Sequence, residues 1–141
     1  MSVEGYAGDL SPEAAWEILR DQPDAVLIDV RTVPEWQFVG APDLSTIGKD
    51  TLFIEWQHYP KMTINEGFAE AVRAQGVKPG QTVISICRSG VRSIASSKAL
   101  TAAGFTACYN VLEGFEGDKN EASQRGAKGG WRYRGLAWRQ Q

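Results

Sequence analysis

Val83-Ile84-Ser85-Ile86-Cys87-Arg88-Ser89-Gly90-Val91-Arg92-Ser93, continuing into Ile94-Ala95-Ser96-Ser97-Lys98-Ala99-Leu100, is the stretch that decides how the rest of the chain is read. A β-branched apolar run ends in a cysteine. A short polar loop with one glycine follows, and an Ala/Ser-rich segment with helical spacing begins, an order that predicts strand, loop, helix. If the loop curls over the cysteine, main-chain N–H groups from Arg88 to Ser93 and the positive end of the helix converge on its sulfur and favour the anion. Gly90 lets the ring close where a side chain would collide or φ must be positive. Arg88 and Arg92 add two cations suited to an anionic substrate or leaving group. The bland alternative is a buried strand cysteine before an ordinary basic turn. Against it stands the place of Cys87 at the C-terminal end of its strand, where open α/β sheets hold their sites.

Upstream, Ser11-Pro12-Glu13 predicts a helix start, with a capping hydroxyl, proline at the first helical position and an acid in the first turn. Ala14, Ala15, Ile18 and Leu19 supply its apolar face, with Trp16 at the flank, and Asp21-Gln22-Pro23-Asp24 stops it. Residues 25–30, AVLIDV, form an apolar run fit for a strand buried on both faces, as in a parallel sheet. Asp29 is the exception and needs a partner there. Thr32-Val33-Pro34-Glu35-Trp36 predicts a short helix with Thr32 as cap, and Arg31 and Glu35 are near enough in sequence to pair and order that turn.

Residues 51–56 alternate like a strand, which His58-Tyr59-Pro60 breaks; His58, the only histidine, is read as a surface or packing residue rather than a general base. Thr63-Ile64-Asn65-Glu66 has capping-box spacing, with Phe68, Ala69, Ala71 and Val72 as the buried side of the next helix and Gly76 as its stop. Pro79-Gly80 fits a type II turn leading into the Cys87 strand. Past the loop, Ile94 to Ala103 keep helical spacing until Gly104, residues 105–111 form the next strand, and Cys108 is read as a small core residue. Strands alternating with helices imply an α/β domain with a mainly parallel sheet and right-handed crossovers.

The quoted loop, CRSGVRS at Cys87 to Ser93, resembles the active-site loop of the rhodanese family, sulfurtransferases that carry sulfur as a cysteine persulfide. Leu27-Ile28-Asp29-Val30-Arg31 followed by Glu35-Trp36 resembles that family's upstream segment, and Val111-Leu112-Glu113-Gly114-Phe115 resembles its V-x-x-L-x-G-G segment. The resemblance spans roughly residues 10–120. It implies a three-layer rhodanese-like domain with a central, mainly parallel five-stranded sheet flanked by helices. It also implies Cys87 as the catalytic residue, a substrate cradle of Arg88, Ser89, Gly90, Val91, Arg92 and Ser93, and support from Asp29, Arg31 and Glu35. Many members carry a histidine-containing G-H-I-x-G-A segment, where this chain has Phe38-Val39-Gly40-Ala41-Pro42. On the same analogy the turn at residues 112–117 lies near the mouth of the site.

A chain of 141 residues, 43% hydrophobic and 23% charged, suits one soluble globular domain. Residues 1–120 are read as that domain and 121–141 as a glycine-, aromatic- and arginine-bearing tail whose Trp131, Tyr133 and Trp138 favour packing on the domain or a partner. A net charge of −2 offers no global basic field for nucleic acid or an anionic membrane. No apolar run approaches a membrane span and no signal core is visible, so the cytoplasm is expected. Two cysteines and one histidine make neither a disulfide scaffold nor a metal cluster, and no cofactor is called for.

Two chemistries use a cysteine thiolate in a ring of amides: attack on sulfur and attack on phosphorus. Cysteine-dependent phosphatases usually carry C-x5-R, whereas here Arg92 makes the spacing C-x4-R and Ser93 stands at the next position. The shorter loop favours sulfur over phosphate or arsenate. The expected activity is transfer of a sulfane sulfur from a small anionic donor such as thiosulfate to cyanide or a thiol, protein thiols included, through a Cys87 persulfide. The alternative is a sulfur-carrier or partner-binding module that does not turn over.

Overall fold

A computed structural model describes residues 5–140. In chain order the elements are β1 (Gly8–Leu10), α1 (Pro12–Asp21), β2 (Val26–Asp29), α2 (Val33–Phe38), β3 (Ala41–Pro42), β4 (Leu52–Phe53), β5 (Gln57–His58), β6 (Thr63–Ile64), α3 (Phe68–Ala74), β7 (Thr82–Ile86), α4 (Arg92–Ala102), β8 (Ala107–Val111) and β9 (Trp138–Arg139). Five strands form a parallel sheet in the order β1-β8-β7-β2-β4, with β7 in its centre. The expected sheet is therefore present, and each crossover carries the chain through a helix or a loop packed on one face.

The two faces bury separate cores. Val72, Val77, Phe68, Leu100, Phe105 and Cys108 pack with Ile28, Val30 and Val83 on one side. Ala15, Leu19, Leu44, Phe115 and Trp131 pack with Leu27, Ile84 and Ile86 on the other. Because strand side chains alternate, β2 and β7 are apolar on both faces, as a doubly covered parallel sheet demands. α1 starts as its sequence implies: Ser11 Oγ accepts the Ala14 amide at 3.1 Å and Pro12 holds the first helical position.

Three local expectations are corrected. The strand read over residues 51–56 is paired only at Leu52–Phe53, after which the Ile54 and Trp56 amides bond to Asp29 and Val30 carbonyls and the chain leaves for the β5–β6 hairpin. Thr63 does not open a helix with Glu66; it sits in β6, and α3 begins after Gly67, whose amide the Asn65 side chain accepts at 3.1 Å. Hairpin pairing outcompetes the capping-box spacing because the Thr63-Ile64 backbone finds partners across the turn. Gly80 does not take the positive φ of a type II turn, and the Gln81 amide closes the turn on the Lys78 carbonyl at 3.0 Å.

The C-terminal segment lies on the sheet body. Trp131 is fully buried, meets Trp16 edge-on at 5.9 Å between centroids, and donates its indole N–H to the Ala137 carbonyl at 2.8 Å. β9 then pairs antiparallel with β3. A β-carbon at Gly40, whose φ is +111°, would stand 2.8 Å from the Arg139 carbonyl and 2.9 Å from the Trp138 ring, so the segment at residues 38–42 is where this tail docks.

Candidate active site

β7 ends at Ile86, and Cys87 follows at the C-terminal edge of the sheet. The residue is 1% exposed, yet it helps to line a cleft of about 370 Å³ with Glu35, Gln57, Met62, Arg88, Ser89, Val91 and Arg92. Its Sγ accepts the Gly90 amide at 3.1 Å, and the Ser93 hydroxyl oxygen lies 3.1 Å from it. Of the loop amides expected to converge on the sulfur, Gly90's is the one within hydrogen-bond distance of Sγ; the other polar neighbour at that distance is the Ser93 side chain.

The loop's shape has a cause outside the loop. The Cys87 carbonyl accepts the Phe115 amide at 2.8 Å, and the Arg88 carbonyl accepts the amides of Glu116 and Gly117 at 2.9 and 3.2 Å. With these carbonyls turned outward, Gly90 can close the ring over the sulfur at a φ of +104°. Gly114 makes the contact possible, because a β-carbon there would fall 2.5 Å from both Cys87 O and Arg88 C. α4 begins at Arg92, so its N-terminal end rests beside the sulfur.

Charges around the cleft pair differently from their sequence spacing. Arg31 does not meet Glu35: its Nε and Nη2 bond to the Asp29 carboxylate at 2.9 and 2.7 Å, fully buried, and Nη2 also reaches the Gly40 carbonyl at 2.6 Å. Its guanidinium lies 4.3 Å from the Phe115 ring centre. Arg31 points into the body because β2 ends there, and the interior holds it only with a carboxylate beside it. Glu35 turns instead to Arg92, 57 residues away, which grips it with two bonds of 2.7 and 2.9 Å. The Thr32 hydroxyl adds a third at 3.0 Å.

Burial pushes the Glu35 carboxyl up, but the bonds and field of Arg92 together with Thr32 outweigh it and hold the group below its ordinary range. Burial likewise opposes the Arg92 charge, and Glu35, Cys87 and Asp29 more than compensate, so Arg92 is raised. Arg88 is exposed at the same cleft, and none of the ion pairs among the described residues engages it. His58 is half-exposed on the β5–β6 hairpin against Glu55 at 3.2 Å.

Two features escaped the sequence reading. Gln57 and Met62, from the hairpin, form one wall of the cleft. Asn110, fully buried on β8, stands behind Ser93 and bonds to its hydroxyl. The available signal for Asn110 was an amide inside the apolar run 105–111, since a buried amide must find partners.

A model of the Rhodanese-like domain matches residues 11–121. The chain belongs to the rhodanese family. Among solved rhodanese-fold structures, the crystal structure of Rv0390 from M. tuberculosis is 48% identical with a TM-score of 0.86, covering 96% of this chain and 99% of that one. The solution structure of the polysulfide-sulfur transferase homodimer from Wolinella succinogenes is 25% identical with a TM-score of 0.60, covering 97% and 80%. An uncharacterized protein of Rickettsia conorii is 33% identical over 125 residues, 88% of this chain and 90% of its own length. Among the described residues no helix is long and apolar enough to cross a membrane.

Proposed function

We propose that this rhodanese-family protein is a sulfurtransferase that moves a sulfane sulfur through a persulfide on Cys87. The observation that carries the reading is Sγ at the floor of an open cleft, bonded by the Gly90 amide and beside the Ser93 hydroxyl, with the cation Arg88, outside the ion pairs of the described residues, at the rim. In the first half-reaction the Cys87 thiolate attacks the outer sulfur of a donor such as thiosulfate. The Cys–S bond forms as the donor's S–S bond breaks, and sulfite departs with the electron pair. In the second, cyanide or a thiolate takes the outer sulfur, leaving as thiocyanate or a new persulfide, and the Cys87 thiolate returns.

Arg92 is occupied by Glu35, so donor recognition falls to Arg88, and Arg92 acts by fixing the start of α4. This supports sulfur over phosphorus: a phosphoryl group needs a free arginine fork over a wider ring. A polysulfide, the donor class named for the Wolinella relative, fits the same one-atom cradle. The cytoplasm, where thiols stay reduced, suits such a cysteine.

Intact-mass spectrometry after exposure to thiosulfate or polysulfide tests the reading. The expected result is a gain of one sulfur at Cys87, lost rapidly to cyanide and absent in Cys87→Ser. A stable gain with slow release would mark a carrier, and no gain with either donor would overturn the proposal. Arg88→Ala should weaken thiosulfate more than an uncharged donor; equal losses would remove Arg88 from donor recognition.

A further inference from the structure

Ser93 faces two acceptors with one hydrogen. Its Oγ lies 3.1 Å from Cys87 Sγ and also bonds to Asn110 Oδ1. The identity of that amide oxygen is set from behind. Asn110 Nδ2 donates to Asp9 Oδ1 at 3.0 Å, and an ionised carboxylate can only accept, so the oxygen must face Ser93. Tyr6 donates to the same Asp9 oxygen at 2.8 Å. Burial, reinforced by the hydrogen bond to Asp9 and its charge, pushes the Tyr6 phenol up to about 12, which keeps it a donor throughout the useful pH range.

We propose that Asp9 is a positioning residue for Cys87: through Asn110 it turns the Ser93 hydroxyl hydrogen away from Sγ, restraining the free thiolate and favouring the sulfur-loaded form. Ser93 and Asn110 are both fully buried, so the hydroxyl hydrogen is shared between Asn110 Oδ1 and Cys87 Sγ. With Cys87 as a thiol, the Ser93 hydrogen rests on Asn110 Oδ1 and the S–H can donate to Ser93 Oγ. A bare thiolate draws that hydrogen to itself and leaves a buried amide oxygen without its donor, which is costly. In the persulfide the charge sits on the outer sulfur, Sγ becomes a weak acceptor, and the hydrogen returns to Asn110.

The other charged groups near the sulfur are Arg88 on the loop, Arg92 at the start of α4 with Glu35 from α2, and Asp29 with Arg31 at the end of β2. Asp9 and Tyr6 approach from the β1 side. No side chain of Arg88, Arg92, Glu35, Asp29 or Arg31 hydrogen-bonds to the Ser93 hydroxyl or the Asn110 amide, so the relay can be altered alone.

The consequence for loading rests on the proposed sulfur chemistry, whereas the effect on the thiolate needs no sulfur donor and is measured without one. The rate of iodoacetamide alkylation at Cys87 is followed against pH by peptide mass in the wild type, Asp9→Ala and Asp9→Asn. Asp9 is exposed on an edge strand, and unchanged thermal unfolding checks the fold. In Asp9→Ala the amide is free to turn and offer Nδ2 to Ser93, whose hydrogen then goes to Sγ. The midpoint should fall by about one pH unit, a tenfold rise in thiolate at fixed pH below it. Asp9→Asn keeps an acceptor for Nδ2 while removing the charge, and should stay near the wild type. An unmoved midpoint in Asp9→Ala overturns the proposal, as does an equal shift in both variants, which would make the effect one of charge alone. Loading by thiosulfate against added sulfite should then be about tenfold weaker in Asp9→Ala. If alkylation shifts while no variant loads sulfur, the relay stands and the sulfurtransferase reading falls.

Discussion

Removing the Asp29 carboxylate should show how much of the fold hangs on one charge. In Asp29→Ala the Arg31 guanidinium stays buried, keeps the Gly40 carbonyl as a neutral acceptor, and rests on the Phe115 ring. Its Nη1 already lacks a partner, so no spare acceptor stands ready to take up the lost bonds. Breaking a buried pair from one side costs about 3–5 kcal/mol, a large share of the ~5–15 kcal/mol that holds a domain of this kind. At this chain length the thermal midpoint should fall by roughly 10–15 °C. Urea unfolding followed by tryptophan fluorescence gives the free energy, and Asp29→Leu with Arg31→Met provides the comparison. That double variant replaces both charges by apolar groups and should recover most of the loss, because neither ion then needs solvation. A loss below about 1 kcal/mol in Asp29→Ala, or a double variant no better than the single one, would refute the view that Arg31 depends on Asp29 for its place.

Gly114→Ala should cost more than the ~1–2 kcal/mol of a left-handed alanine, because its β-carbon strikes backbone at Cys87 and Arg88. It should also abolish sulfur loading, whereas Gly104→Ala, with φ +106° and open space around it, should destabilise without touching loading; mass spectrometry and urea titration read the two. Burial pushes the Cys108 thiol up to about 11. Between an unfolded cysteine's ~8.5 and that value the unfolded chain holds fewer protons, so stability should fall as pH rises, and Cys108→Ala should flatten this slope in urea midpoints. Glu35 is the mirror case, held below its ordinary 4.5 by Arg92 against the pull of burial. The stability it adds is present above that ordinary value and is lost as pH falls through the lowered one. Glu35→Gln should therefore remove part of the acid limb of the stability profile, and an unchanged limb would contradict the Glu35–Arg92 pairing.

Much of the architecture is written in local patterns, because helix caps and apolar runs act within a few residues. Ser11-Pro12, the doubly apolar run ending at Asp29, and the strand–loop–helix order about Cys87 all fold as their sequence implies. The same holds for the family, since the loop spacing from Cys87 to Ser93 and the flanking segments are continuous stretches of chain. Local pattern failed where two local options competed, as at Thr63, whose backbone found a strand partner before it could cap a helix.

The pairing of charges belonged to the tertiary structure. Arg31 and Glu35 are close along the chain, yet one is drawn inward by Asp29 and the other outward by Arg92, because electrostatic partners are chosen by distance and burial in space. The shape of the cysteine loop was decided in the same way, by amides of residues 115–117 that turn its carbonyls outward. So was the meeting of Asp9, Asn110 and Ser93, which lie up to 101 residues apart and are joined only because β1 and β8 are neighbours in the sheet. Sequence alone pointed to the Cys87 sulfur and to a glycine-bearing loop closing over it. Which hydrogen faces that atom depended on strands brought side by side, since a hydrogen bond is settled within about 3 Å whatever the separation along the chain.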